Sequence, residues 1–230
     1  MRTRNNIATL DTETVGTFGS PIIHDFGWQI NDKELETPLV AKRYLTEELH
    51  KINDFMLNRS DFYASKKDLY DKAKANNEVE IKPWKEIITE FIADCKKYNV
   101  KVISAYNLAF DYRAINATNA FFNNGDKKVM DYINKKAFLC IWDLACETVL
   151  DTDDYRKYAT MNKYISEKGN YLTDAESCYR YLFKDTAFEE EHTALADVEI
   201  EVQILKHIIE NCHHKVKYGL AYNSWKKVQV

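Results

Sequence analysis

The stretch Leu10-Asp11-Thr12-Glu13-Thr14 places two carboxylates at the end of an apolar, β-prone run, Ile7-Ala8-Thr9. A strand sends alternate side chains to the same face, so Asp11 and Glu13 point the same way. A buried carboxylate without a partner is costly, and this pair therefore calls for a counter-charge. Oxygen ligands of this kind suit hard cations such as magnesium. Spacing alone does not single the pair out, because Asp32–Glu34 and Asp174–Glu176 repeat it. Its place at the end of an apolar strand does.

Three further residues extend the chemistry. Asp111 falls in the first turn of an expected helix, just past the apolar run 100–106, where the helix dipole favours a carboxylate. Asp197 lies on the flank of the apolar stripe of an expected helix over 193–210. His192 precedes that helix. Five positions would rotate it well away from Asp197 in a continuous helix, whereas a histidine on the preceding loop can swing toward a substrate. Taken singly, Asp111 is a helix-dipole partner and His192, beside Glu189–Glu191, a solvated side chain.

The elements that must position these groups are readable. Residues 7–11, 22–30 and 38–45 are expected strands of an antiparallel meander, with Gly16, Gly19 and Pro21 in the first connection. Residues 46–76 become helical and highly charged, as an inserted helical pair that could act as a lid. Pro83 opens an amphipathic helix over 84–97. Strands are expected at 100–106 and 137–142. A helix follows Asn107, its plausible N-cap, and further helices fill 143–150 and about 173–182. A meander followed by alternating helix and strand argues a mixed-sheet α/β domain.

Bulk properties narrow the function classes. The chain has 230 residues, 45% apolar and 30% charged, with a net charge of −4. That fits one globular domain, residues 1–230, and excludes nucleic-acid binding through global basicity. No apolar run approaches the roughly 18 residues of a membrane span, and Asp11 arrives before a signal-like apolar core can form, so a cytoplasmic protein is expected. The five cysteines are scattered and form no C-x-x-C pair, which reads as free thiols. Cys212-His213-His214 makes a poor zinc site, because adjacent side chains rarely converge on one metal. The tail, 211–230, mixes Lys215, Lys217, Lys226 and Lys227 with Tyr218, Tyr222 and Trp225 and carries no acid. Such a mixture suits a single-strand contact, although a docked tail is the plainer reading. The abundance of Lys, Asn, Ile and Tyr would suit an AT-rich bacterial or phage genome.

"LDTETVG", "SAYNLAFD" and "EHTALADV" resemble, in order and local form, the three exonuclease motifs of the DEDDh family. That family includes the proofreading subunit of bacterial DNA polymerase, RNase T and oligoribonuclease. The resemblance implies an RNase H-like mixed β-sheet of about five strands with flanking helices. It implies that Asp11, Glu13, Asp111 and Asp197 hold two Mg²⁺ or Mn²⁺ ions and that His192 is the general base. It places Thr14, Val15, Gly16, Asn107 and Phe110 against the substrate, the 3′ end of a single-stranded nucleic acid, with DNA favoured over RNA. Two ions about 3.5–4 Å apart would balance four carboxylates and stabilise both the attacking and the leaving oxygen. Val15 stands where the family often has threonine, which removes a side-chain hydroxyl. The segment 46–76 is longer than in minimal members. No polymerase or replication partner can be named from the chain.

A sister branch uses a tyrosine four residues before its last aspartate, and Tyr181–Asp185 has that spacing. The surrounding "YRYLFKD" lacks a sustained apolar period after it, whereas His192 opens the strongest helix of the C-terminal half. His192 with Asp197 is therefore favoured, and Tyr181 reads as a packing or stacking residue.

Overall fold

The computed structural model describes residues 5–17, 20–52, 54–212 and 215–229. Its frame is a mixed six-stranded sheet. The strands are β1 (Ile7–Thr17), β2 (Ser20–Asn31), β3 (Pro38–Thr46), β4 (Glu80–Lys82), β5 (Val102–Ala105) and β6 (Ala137–Cys140), in the order β4-β3-β2-β1-β5-β6. The expected meander is present: β1 pairs antiparallel with β2, and β2 with β3. β5 and β6 add in parallel on the other side of β1, and β4 in parallel beyond β3. β4 is the strand beyond the five expected; three residues are too short to show an alternation.

Helices cover both faces. On one, α3 (Trp84–Lys97) and α4 (Leu108–Phe122) pack Trp84, Phe91 and Ile115 against Leu10, Phe26 and Trp28. On the other, α9 (Ala194–Asn211) packs Ile200, Ile204 and Leu205 with Ile7 and Val102. The alternation along β1 thus sends Leu10 to one core, while Asp11 faces α9.

The segment 46–76 is helical, as expected. A turn of π-helix (Glu48–Ile52), α1 (Asp54–Asn58) and α2 (Asp61–Ala75) build a third small core from Leu49, Leu57, Tyr63 and Tyr70 against Val15, Ile22 and Leu45. Ser60 caps α2 by accepting the Tyr63 N–H at 3.3 Å. Two helices were not expected from the sequence: α5 (Lys127–Ile133), capped by Asp126, and α7 (Asp153–Met161), capped by Thr152. Both are short and charged, and their caps were their clearest signal. Residues 137–142 divide: β6 stops at Cys140 and α6 (Ile141–Ala145) begins at once, followed by a π-helical turn, Cys146–Leu150. The last short helix of that half before α9 is α8 (Ala175–Phe183).

All five cysteines are free thiols. Among the described residues no helix is long and apolar enough to cross a membrane. His213 and His214 lie outside the described residues.

Candidate active site

The first carboxylate pair sits where β1 leaves the body of the sheet. Asp11 is opposite Gly27 of β2, and Glu13 is opposite Asp25. The register shifts just after Glu13, leaving His24 as an extra residue in β2. Such a bulge bends a strand pair and re-aims the side chains beside it. Gly27 is required by packing: a Cβ there would lie 2.6 Å from the main chain of Ala194. Its absence lets the first turn of α9 rest directly on the sheet beside Asp11 and Glu13.

α9 brings two carboxylates, not one. Asp197 and Glu201, one turn apart, both lie on its buried side. That side is broader than the expected stripe; it takes in Asp197, Ile200, Glu201 and Ile204, and Leu195 is left half-buried. Asp111 approaches from α4, held by the Thr12 hydroxyl, which donates to its Oδ1 at 2.8 Å. Thr12 lies between the paired carboxylates, so one β1 segment points ligands one way and anchors Asp111 the other.

His192 has φ 55°, in the left-handed region that non-glycine residues seldom adopt. This turn, one residue before the N-cap Thr193, folds the imidazole back toward the carboxylates. One ligand atom each from Glu13, His192 and Asp197 lies within 4.8 Å of the others, and the same is true of Glu176, Glu190 and His192. Nδ1 of His192 is 3.6 Å from Glu190 Oε2. Glu190 itself is placed by its N–H, which donates to Glu176 at 2.8 Å.

The electrostatics of this cluster are lopsided. Burial, then neighbouring carboxylates, push the Glu13 carboxyl up to about 9. Burial raises Asp111 to about 7, against the opposing Thr12 hydrogen bond, and burial with the Asp25 charge raises Asp197 to about 7. Asp11 and Glu201 are driven well above the carboxylate range by burial, and next by the charge of Asp111. Glu190 rises to about 8, mainly through burial. His192 moves the other way: burial lowers it, which keeps the imidazole unprotonated at neutral pH.

Asp11 Oδ2, Asp197 Oδ1 and Glu201 Oε2 are shielded from solvent yet find no hydrogen-bond partner among the described residues. Buried polar atoms are nearly always satisfied, so three orphaned carboxylate oxygens in one place need an explanation. Hard oxygen donors, shared negative charge and missing protein donors are what divalent cations neutralise. The donor set fits magnesium or manganese.

The expected substrate residues divide between two hollows. Thr14, Val15, Gly16 and Phe110 line a cleft of about 800 Å³, whose other wall is Met56 of α1, Asp61 of α2, and Arg59 and Ser60 of the turn between them. Val15 reaches this cleft with a side chain only 3% exposed, packed in the core under the helical segment. Gly16 has φ +99°, which an L side chain would resist. Asn107 instead borders a separate hollow, and its side chain makes no capping bond although it holds the N-cap position of α4. Tyr181 packs edge-on to Tyr155 at 5.0 Å, and Asp185 accepts the Ala187 N–H; neither appears in the carboxylate cluster.

No family model matches the chain, and no curated protein does. Solved structures do. A 3′-exonuclease described in 3′-end-specific recognition of histone mRNA stem-loop aligns with a TM-score of 0.58 at 11% identity, over 96% of this chain and 70% of that one. The nuclease domain of 3′hExo, a DEDDh family member bound to rAMP, aligns at 0.56 and 11% identity, over 93% and 96%. This chain has the fold of a DEDDh 3′-exonuclease. The Exonuclease I of Methylocaldum szegediense aligns at 0.55 and 16% identity, over 90% of this chain but 41% of its own, so this chain spans under half of that protein. In this fold the described cluster lies where β1, α4 and α9 meet.

Within that DEDDh frame, sequence reasoning missed Glu201, Glu190 and the residues that tie α9 down. Glu201 follows Asp197 by four, and a carboxylate at that spacing on an apolar helix face was the available signal. Asp25, fully buried, accepts from Arg43 Nε at 3.0 Å and Nη2 at 2.8 Å, from the Tyr70 hydroxyl at 3.1 Å and from the Ala194 N–H at 3.3 Å. One carboxylate thereby joins β2, β3, α2 and the start of α9. Nothing local in the sequence marks it.

Proposed function

We propose that this protein is a metal-dependent 3′–5′ exonuclease that hydrolyses single-stranded nucleic acid and releases nucleoside 5′-monophosphates, with DNA the favoured substrate. The observation that carries the reading is the convergence of Asp11, Glu13, Asp111 and Asp197 with His192, with buried carboxylate oxygens that lack protein donors.

In this reading Asp11, Glu13, Asp111 and Asp197 hold two Mg²⁺ or Mn²⁺ ions, and Glu201 supports them from one turn further along α9. Bound ions supply charge stabilisation to the attacking and leaving oxygens. His192, kept unprotonated by its surroundings, takes the proton from the attacking water, help worth about 10²–10⁴ in rate. Its positive φ and the α9 N-terminus on Gly27 hold it beside Glu13. The cleft of Thr14, Gly16 and Phe110 receives the terminal nucleotide, and α1 and α2 close its far side. Water attacks phosphorus, the bond to the 3′-oxygen of the preceding nucleotide breaks, and the shortened strand keeps a 3′-hydroxyl.

Trimming of RNA 3′ ends is the second reading, favoured by the likeness to an exonuclease whose described target is an mRNA stem-loop. A catalytically silent binding module is disfavoured because all five positions are filled. The test is incubation with 3′- and 5′-labelled single-stranded DNA and RNA, with Mg²⁺ or with EDTA. Mononucleotide release from the 3′ end, abolished by EDTA, is expected; release from the 5′ end, or cleavage in excess EDTA, would overturn the proposal.

A further inference from the structure

A second hollow, of about 420 Å³, borders the start of α4, the helix whose first turn carries Asp111. Phe110 borders the cleft, Asn107 the hollow, and Asp111 belongs to the same turn. Asp174, at the hollow's rim, is close enough to act on the charge of Glu190 and His192.

Four aromatic side chains line the hollow: Tyr106, Trp142, Tyr171 and Trp225. Each is pinned. The Tyr106 hydroxyl donates to the Thr173 carbonyl at 2.9 Å, and the Trp142 indole N–H to Thr173 Oγ1 at 2.9 Å. Tyr171 and Trp225 come from distant segments, and one amide holds the main chain of both. Gln229 Oε1 accepts the Tyr171 N–H at 2.8 Å, and its Nε2 donates to the carbonyls of Tyr171 at 3.2 Å and Trp225 at 3.0 Å. Gln229 is placed in turn by Val228, which is fully buried and whose carbonyl accepts from Arg156 Nε at 3.2 Å.

The half-buried rings of Tyr171 and Trp225, carried on a held main chain, offer faces on which a planar ligand can stack. The amide of Asn107 can meet the edge of such a ligand. At the rim, exposed Lys226 carries its ammonium 5.7 Å from the Trp225 ring centroid, and Lys168 is exposed on the neighbouring turn. Asp174, the acid in the hollow's lining, is committed to capping α8 through Ser177, and Glu167 is exposed beside Lys168. Stacking rings beside free-facing lysines are the chemistry of single-strand binding.

We propose that this hollow binds a nucleobase of the substrate strand on the 5′ side of the scissile phosphate, stacked on Tyr171 and Trp225. The proposal rests on the exonuclease reading for its direction along the strand. It gives the C-terminal tail a definite role: Lys217 and Lys227 are engaged by Glu147 and Asp143, while Trp225 and Lys226 serve the strand.

The test compares wild type with Tyr171→Ala, Trp225→Ala and Gln229→Ala on two substrates: a 5′-labelled oligothymidylate, and the 4-nitrophenyl ester of thymidine 5′-monophosphate, which has no base at the upstream position. KM for the oligonucleotide should rise about 5- to 150-fold, the range that losing a base–aromatic stack produces, with kcat within about twofold. Trp225→Phe should restore most of the affinity. An unchanged oligonucleotide KM, or an equal loss on the ester, would overturn the proposal. Binding of the same oligonucleotide in EDTA, read by fluorescence anisotropy, separates the two readings. If wild type cleaves nothing but Tyr171→Ala still binds several-fold more weakly, the exonuclease reading fails and the pocket stands; if binding is unchanged, the pocket fails.

Discussion

Asp25, fully buried, and Glu13, half-buried, face each other across β1 and β2, and their surroundings are opposite. Asp25 is saturated: a two-pronged guanidinium, a phenol and a main-chain N–H all donate to it. Glu13 is met chiefly by other carboxylates, and the cluster behind it contains acceptor atoms with no donor. The difference separates a carboxylate that builds the fold from carboxylates whose counter-charge must come from outside. Burial alone would not make the distinction; the inventory of donors does.

The strongest way to break this comparison is substitution on each side of it. Asp11→Ala and Asp197→Ala should each abolish hydrolysis while the protein stays folded, read by product release and circular dichroism. Full activity in either would place the ions elsewhere. Replacing His192 with Ala should lower kcat by about 10²–10⁴ with little change in KM, whereas Tyr181→Phe should be mild. The reverse pattern would transfer the base to Tyr181 and the last ligand to Asp185.

On the saturated side the effect should appear in stability. Asp25→Ala leaves Arg43 half-stranded and frees the N-terminus of α9, and breaking a buried pair of this kind costs about 3–5 kcal/mol. Denaturant unfolding measures it. A loss below about 1 kcal/mol would mean that the Arg43 pair is not holding α9.

A smaller, pH-dependent effect sharpens the contrast. Glu13, Asp111 and Asp197 have native values above their ordinary ones, so the native state binds more protons than the unfolded chain. Stability without metal is therefore full below about pH 4 and declines as pH rises through about 7 for the aspartates and about 9 for Glu13. Divalent ions should remove that decline, so the rise in Tm on adding Mn²⁺ should grow from pH 5 to pH 9. A Tm increment that is constant with pH would argue against ions at these carboxylates.

How far the sequence reveals this arrangement follows from the range of the interactions. Asp11 and Glu13 were legible because strand alternation and position are local facts, and the meander of β1, β2 and β3 because alternation persists through it. His192 was legible in its motif, but its positive φ was not, because no glycine or asparagine marks a left-handed turn there. Glu201 hid in an apolar helix whose buried side is wider than the stripe its sequence period marks. Asp25 could not be found locally, since its partners Arg43, Tyr70 and Ala194 converge only after folding. The tail's docking is equally non-local: Ser224 and Lys227 reach Asp143, Val228 enters the core, and Gln229 reaches Tyr171.

The claim at the centre of this account is that the orphaned carboxylates form a divalent-cation site. Isothermal titration of Mn²⁺ into the metal-free protein at pH 7.5 tests it most directly. The account predicts saturable binding at two sites that disappears in Asp11→Asn. Undetectable binding in the wild type, or binding that Asp11→Asn leaves unchanged, would contradict it.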